Sequence, residues 1–447
     1  MIPNGIIMCG DIETAKINNE IVEPINFDLM PIYIQRTSDV RGWLESRAID
    51  SHRTNSRLLK KALRLTNSHD IDVVLRVHAA TITDNYWFKE AGTELLYDGI
   101  RFKDNIFDKL ALYGDPDSFN QKSDSTPELT NIGSYEKCWR LCDGQWWLYK
   151  QGNDNERFSE LFISLLGKRL GFNMAHYELE DGYIKSIDYT NNASVNYEPM
   201  SSFVGDDEDY QTSFNILHEI SWEAAQDFVN MIYLDTICFN MDRHTKNYGI
   251  LRNIRTGEVT GLAPNFDNNI ALISRGYPKN IERSSDKLIE LFCEFIENNE
   301  EAYDMYSKID TDSITKSLIN ELIGHTGFDV DREHICKFIL NGCKLIQKRI
   351  TKEIIEPNNS EYHFDTGMPL DETHYECGLP EYLRVSLNNM KKSWEVVDSG
   401  KTDNRWDIYW CELNADINSA EVENIISSEQ AWYLRSKYLR MKKEDNV

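Results

Sequence analysis

FNMDRHTKNYGILRNIRTGEVTGLAPNFDNNIA, Phe239 to Ala271, is the stretch on which the reading of this chain turns. Before it runs the apolar series Phe228, Val229, Met231, Ile232, Leu234, Ile237 and Cys238, nearly continuous and long enough for a buried helix. Asp242, Arg243, His244 and Asn247 then fall on the loop that leaves that helix. Tyr248 to Arg252 reads as a short apolar strand, Arg255 to Glu258 has turn chemistry, and Val259 to Leu262 returns as the second arm of a hairpin. Such a hairpin carries Asp267 back towards Asp242 and Asn247. Two carboxylates and a carboxamide make a hard-oxygen site suited to Mg²⁺, which keeps several waters for substrate phosphates. Either half alone reads equally well as a polar turn; both in order, behind an apolar helix, favour a site.

A second informative stretch, NIGSYEKCWRLCDGQWWLYKQG, spans Asn131 to Gly152. Lys137 to Leu141 and Gln145 to Lys150 are strands joined by Asp143-Gly144, a strong hairpin signal. Gly133 and Ser134 stand at the entry, where small residues let backbone N–H groups approach a phosphate. Lys150 ends the hairpin as a lone cation among aromatics; it suits nucleotide phosphates, and a snorkelling strand-end lysine is the plain alternative. Asp154-Asn155 can cap a helix with Phe158, Leu161, Phe162, Leu165, Leu166 and Leu170 at helical spacing, closed by Gly171. Glu156 and Glu160 share a face of it, and either could reach Lys150. Tyr183 to Asp188 and Ser194 to Phe203 read as further strands of the same small sheet. Glu198-Pro-Met200-Ser201 would then be a connector whose backbone could hold an adenine edge.

Composition bounds the rest. A chain of 447 residues suggests two or three domains. The net charge of −26 argues against a general nucleic-acid or membrane-surface binder. No apolar run approaches a membrane span and the start lacks signal-peptide character, so a soluble, cytoplasmic protein is expected. Nine cysteines without a Cys-x-x-Cys pair fit reduced, buried thiols, and Cys138 and Cys142 read as strand residues.

With these residues in place, the chain resembles the HipA-type serine/threonine protein kinases. The resemblance rests on Gly-x-x-Glu-Lys at 133–137, the strand lysine 150, Asn155-Glu156, Met-Asp-Arg-His-x-x-Asn-Tyr-Gly at 241–249 and Pro-Asn-Phe-Asp at 264–267. It covers roughly residues 125 to 350; its Asp-Arg-His-x-x-Asn core is also similar to a phosphoinositide-kinase loop. The resemblance implies an α+β, two-lobed protein-kinase-like fold with a small mixed β lobe and a mostly helical large lobe. It also implies ATP and Mg²⁺ as cofactors and a protein Ser or Thr as acceptor. Position by position, it makes Asp242 the catalytic base, Asn247 and Asp267 the metal ligands, Lys150 the phosphate-binding lysine and Glu156 its helix partner. His244 becomes a brace for the loop, and Thr130 stands where the family can carry an autophosphorylated serine. Ser134-Tyr135 departs from the family's usual Gly-Ala-Gln-Glu-Lys. HipA-like proteins often act as growth-arresting toxins with an antitoxin partner.

The expected organisation is an N-terminal α/β segment over 1–122, a small lobe over 123–203, a helical large lobe over 204–356 and an appendage over 357–447. In the first segment Ser56 to Leu65 is a basic amphipathic helix, Ile71 to Val77 a strand, and Thr83 to Phe88 a polar turn entering an aromatic packing cluster. Gly114 to Thr130 reads as a linker. Helices are expected at Ser285–Asn298, Ser313–Ile323 and Glu333–Ile355, with a break at Pro357–Ser360. The appendage reads as a helix over Glu381–Trp394, a strand over Arg405–Leu413 and a last helix starting at Ser419. Two other functional readings stay open: a small-molecule or lipid kinase, and a non-catalytic nucleotide-binding module.

Overall fold

A computed structural model describes residues 2–50, 53–66, 68–121, 125–350, 375–376, 379–423 and 425–441. The chain divides into two compact units, Met1–Thr351 and Lys352–Val447.

The first unit begins with β1 (Gly5–Cys9), β2 (Ile12–Asn18) and β3 (Ile21–Pro24), joined by β4 (Tyr86–Glu90) into an antiparallel sheet of order β3-β2-β1-β4. Short helices lie between and after these strands: α1 (Ile32–Thr37), α2 (Val40–Glu45), α3 (Thr54–Ala62), α4 (Asp70–Leu75), α5 (Tyr97–Ile100) and α6 (Asp108–Tyr113). Ile7, Ile17, Ile34, Trp43, Leu44, Val74 and Phe88 form the core between this sheet and α1, α2 and α4, while Leu59 of α3 and Leu110 of α6 share a separate cluster. The expected strand at Ile71–Val77 is instead α4. Ile71, Val74 and Val77 are buried at a spacing of three, and the Asp72 carboxylate accepts the N–H of His69 at the helix start. The supposed linker is also corrected. Pro127–Thr130 is a buried 3₁₀ turn in which Glu128, beside the Arg53 guanidinium at 3.8 Å, accepts the N–H of Trp139.

A second antiparallel sheet, of order β5-β6-β8-β7, comprises β5 (Lys137–Cys142), β6 (Gln145–Lys150), β7 (Tyr177–Glu180) and β8 (Tyr183–Ile187). Between β6 and β7 runs α7 (Asp154–Arg169), capped by Asn153, whose side chain accepts the N–H of Glu156 while Glu156 returns the favour to the Asn153 N–H.

β9 (Val195–Pro199) does not extend this sheet. It pairs with β10 (Gly249–Asn253), which pairs with β11 (Val259–Leu262), in a third sheet. Gly249 makes this possible, because a Cβ there would collide with the carbonyl of Glu198. The chain then turns into the short helix α8 (Ser201–Val204).

The helices that follow are α9 (Tyr210–Ile220), α10 (Trp222–Ile237), α11 (Lys287–Glu297), α12 (Glu300–Tyr306), α13 (Lys316–Thr326) and α14 (Arg332–Ile350). α10 is buried on nearly every side: Phe228, Val229, Ile232, Leu234 and Ile237 join Phe158 and Phe162 of α7, Phe292 of α11, Ile319 of α13 and Ile339 of α14 in one core. Each such side chain contributes roughly 1.5–3 kcal/mol by burial. That anchorage fixes where the loop after α10 emerges. The end of the helix expected at Glu333–Ile355, and the break at Pro357–Ser360, lie outside the described residues.

The second unit holds α15 (Glu381–Asp398), α16 (Trp406–Val422) and α17 (Ser428–Leu439) around Leu383, Leu387, Met390, Leu413, Ile417 and Leu434. The expected strand at Arg405–Leu413 is the first half of α16, whose buried Leu413, Ile417 and Ala420 keep helical spacing. The last helix starts after Ser427, whose hydroxyl accepts the N–H of Gln430, and not at Ser419. Among the described residues no helix is long and apolar enough to cross a membrane, and the cysteines are free thiols.

Candidate active site

The loop after α10 is organised by one side chain. The Arg243 side chain is buried and its guanidinium contacts both Asp235 oxygens at 2.7 and 3.0 Å, the carbonyls of Asn247 (3.1 Å) and Phe266 (2.8 Å), and the side-chain oxygens of Asn265 (2.8 Å) and Asn268 (2.9 Å). The end of α10, the 242–247 loop and the segment after β11 are thereby tied together. Asn240 supports the same junction: it donates to Asp235 Oδ1 at 2.9 Å and accepts the N–H of Asp242 at 3.2 Å. Sequence reasoning assigned Arg243 no part, although an Asp inside the apolar run of α10 was a usable signal, since a buried carboxylate demands a cation.

Asn247 is buried. Its Nδ2 donates to the Asp242 carbonyl at 2.7 Å, and its Oδ1 accepts the His244 N–H at 3.1 Å. The His244 ring accepts the N–H of Lys246 at 3.2 Å. Asp242 is half-buried, and burial raises its pKa; the charge of Asp267 pushes the same way, against His244 and Arg275. A carboxylate held in this state is a stronger proton acceptor than a solvated one.

Lys150, at the end of β6, lies 3.0 Å from Glu160 Oε1 and 2.7 Å from Asp267 Oδ1. The expected helix partner Glu156 is therefore corrected to Glu160. Glu156 sits at the third position of α7, where its carboxylate is engaged by the Asn153 N–H and by the Tyr135 hydroxyl at 3.1 Å; Glu160, one turn deeper, is fully buried against the lysine. Burial works against the Lys150 charge, but Asp267 and Glu160 overcome it and hold its pKa well above the usual lysine value. Burial would likewise raise Asp267, yet Lys150 and Lys137 keep it well below the ordinary carboxylate range. Asp267 sits at φ +64°, with its side chain 31% exposed.

Lys137 is a second residue to which sequence reasoning gave no part. It stands opposite Lys150 in the β5–β6 ladder, a register that follows by counting back from the Asp143-Gly144 turn. Burial, with Lys150 and Arg53 beside it, lowers its pKa to about 8 despite Asp267. Gly133, at φ +111°, lies over its ammonium, and a Cβ there would collide with Nζ. Ser134 and Tyr135 line a cavity of about 620 Å³ together with Glu136, Gln151, Glu156 and Asp181. With three carboxylates and no basic lining residue, that cavity has the wrong sign for phosphate. The lysine face of the hairpin has the right one.

Two residues of the expected connector are engaged within the protein. The Glu198 side chain is buried against Arg252, the Tyr86 hydroxyl (2.8 Å) and the Ile32 N–H (2.6 Å). Met200 donates its N–H to Tyr248 at 2.9 Å and receives the N–H groups of Phe203 and Val204 on its carbonyl. Neither is free to meet a base. Thr130 is buried, and its hydroxyl donates to the Ala80 carbonyl at 2.7 Å.

Among the described residues no three His, Cys, Asp or Glu side chains gather as a metal cluster. What the junction offers a hard cation is the ionised Asp267 carboxylate and the second lone pair of Asn247 Oδ1, a sparse oxygen set of the kind Mg²⁺ completes with water and phosphate.

Comparison with known proteins finds similarity over the same part of the chain. Residues 130–326 match the family model of the HipA-like C-terminal domain, a span that holds Lys150, Asp242, Asn247 and Asp267. The solved structures similar to the chain include the Helicobacter pylori proinflammatory kinase CtkA, at 18% identity and a TM-score of 0.39, covering 49% of this chain and 94% of that one. They also include HipA of Shewanella oneidensis MR-1, determined with HipB and its operator DNA, at 13% identity and a TM-score of 0.44, covering 78% of this chain and 97% of that one. No curated protein matches the chain.

Proposed function

We propose that the chain is an ATP- and Mg²⁺-dependent kinase that transfers a phosphoryl group to a Ser or Thr hydroxyl of a protein. The observation that carries this reading is the Lys150–Glu160–Asp267 ion triad, joined through Arg243 to the loop of Asp242 and Asn247. In it, Asp242 accepts the proton of the acceptor hydroxyl, and its raised pKa suits that task. Lys150, supported by Lys137 across the hairpin, neutralises the phosphates from one side. Asn247 and Asp267 are the residues that would hold the metal, and Mg²⁺ when bound supplies further neutralisation of phosphate charge. Glu160 keeps Lys150 oriented. The rate then derives from positioning and fixed charge. The two-lobed arrangement, with 123–203 as small lobe and 204–356 as large lobe, belongs to the same reading, as does an antitoxin-type protein partner.

The test is transfer of label from γ-labelled ATP with Mg²⁺, in the presence of a cell lysate, for the wild-type chain and for Asp242→Ala. The reading expects labelled protein with the first and none with the second, the label resisting base-free acid as a phosphoserine or phosphothreonine ester does. Label that reaches only small molecules or lipid would replace the protein acceptor.

A further inference from the structure

The cavity beside the β5–β6 hairpin has no part in the phosphate chemistry, and its lining is one-sided. Its walls are the loop before β5, the end of β6, the first turn of α7 and the turn between β7 and β8, and it holds about 620 Å³. Glu136, Glu156 and Asp181 line it, and no basic side chain does. Arg157, the residue after Glu156, is engaged elsewhere: its guanidinium donates to the Asp154 carboxylate and to the Gly182 carbonyl.

Neutral donors meet these carboxylates only in part. Glu136 Oε1 accepts the Asn55 N–H at 3.1 Å, while its Oε2 is buried and has no hydrogen-bond partner among the described residues. A buried carboxylate oxygen left this way calls for a donor, and a cationic one arriving with a ligand supplies it best. Glu156 is met by the Tyr135 hydroxyl at 3.1 Å and the Asn153 N–H, and Asp181 is exposed on its turn. Among the described residues no three acidic side chains gather closely enough for a metal ion, so the negative charge is spread along the walls. Spread charge suits guanidinium or ammonium groups on side chains, whose stems can lie against the rings of Tyr135 and Tyr183 in the lining. A volume of this size admits several side chains, hence a segment of polypeptide in place of a single ion. Tyr135 also locates the cavity: the charges of Asp242 and Arg275 act on its hydroxyl, so this wall adjoins the loop of the proposed base.

We propose that this cavity receives arginine or lysine side chains that flank the phosphorylated hydroxyl, so that the kinase selects basic segments of its protein acceptor. Glu136 and Lys137, adjacent in the chain, then serve opposite charges: the lysine lies within the field of Asp267 and Lys150, on the phosphate side, and the glutamate meets the acceptor. This inference rests on the kinase reading and names the acceptor class for it.

The experiment is calorimetric titration of the full chain with a serine peptide flanked by arginines, its glutamine-flanked counterpart, spermine and MgATP. Wild type is compared with Glu136→Gln, with Asp181→Asn, whose left-handed backbone at φ +49° asparagine tolerates, and with Asp207→Asn, the same charge change in an acidic run outside the cavity. Expected is a clear preference of wild type for the arginine peptide. Its affinity should be about tenfold weaker in Glu136→Gln, about threefold weaker in Asp181→Asn and unchanged in Asp207→Asn, with MgATP bound equally by all four proteins. No preference for the arginine peptide, or cavity variants that bind it as wild type does, overturns the inference. An equal loss in Asp207→Asn also overturns it, since the peptide would then answer only the overall negative charge. Spermine that binds as tightly as the peptide, with the same losses, gives the cavity to a free polyamine instead of an acceptor. If the peptide pattern holds but wild type binds no MgATP, the kinase reading falls and the basic-peptide site stands without it.

Discussion

Arg252 and Lys150 are both strand cations buried beside a glutamate, yet their surroundings differ. The Arg252 guanidinium is engaged by Glu198, by the Tyr86 hydroxyl and by the carbonyls of Asp28, Met30 and Gly257. Glu198 in turn receives Tyr86 and the Ile32 N–H. All these partners are protein groups, and they pin β9 and β10 to α1 and β4. Lys150 touches two carboxylates, one of which, Asp267, is 31% exposed and held at a left-handed backbone angle. The first cluster closes on itself; the second ends on an ionised group that still faces outward. Burial and charge alone therefore do not separate a staple from a site. The separating property is whether the last charged atom is already satisfied.

That contrast can be broken first at the loop. Asp242→Asn removes the proton acceptor without emptying a buried pair, so phosphoryl transfer should fall about 10³-fold, while the urea unfolding midpoint stays at the wild-type value. At the staple the pattern should reverse. Arg252→Ala leaves Glu198 buried and unpaired and should cost about 3–5 kcal/mol in urea unfolding; a variant as stable as wild type would mean that the cluster is no staple.

The two glutamates of α7 sharpen the comparison at smaller scale. Glu160→Gln should weaken ATP binding about tenfold by loosening Lys150. Glu156→Ala should leave Lys150 paired and cost about 1 kcal/mol of stability through the lost cap, read by thermal melting.

The smallest effect is in pH. Lys137 has its pKa lowered to about 8. Phosphate favours its charged form, so ATP binding should draw a proton onto it and weaken as pH rises through about 8, levelling off below. In the free protein the sign is opposite: the unfolded chain holds that proton more tightly, so this lysine's contribution to stability improves as pH rises from about 8 towards the ordinary lysine value. Lys137→Met should flatten the binding profile, as titration calorimetry at several pH values would record.

Much of the site is legible in the sequence, for a physical reason. The buried helix before Asp242, the hairpin at 249–262 and the Asp143-Gly144 turn are written in local periodicity and turn chemistry, which act over a few residues. What was misread depends on distant partners. Ile71–Val77 and Arg405–Leu413 are short apolar runs whose helical state is set by packing and, at Asp72, by a cap. The choice between Glu156 and Glu160 depends on the depth at which α7 passes β6. The pairing of β9 with β10 instead of β8 depends on Gly249, fifty residues away. Arg243 matters through contacts that no local pattern encodes.

The most direct test sets Asp267→Asn beside Arg252→Ala, each assayed for transfer of label from γ-labelled ATP with Mg²⁺ and for urea unfolding in the same preparation. Asparagine tolerates the left-handed backbone at 267. The account therefore predicts an Asp267→Asn protein that is less stable than wild type, since Lys150 and Lys137 lose an ionised partner, but folded and unable to transfer phosphate, and an Arg252→Ala protein that loses stability but, where still folded, retains transfer. An Asp267→Asn protein that labels its acceptor at the wild-type rate would contradict it.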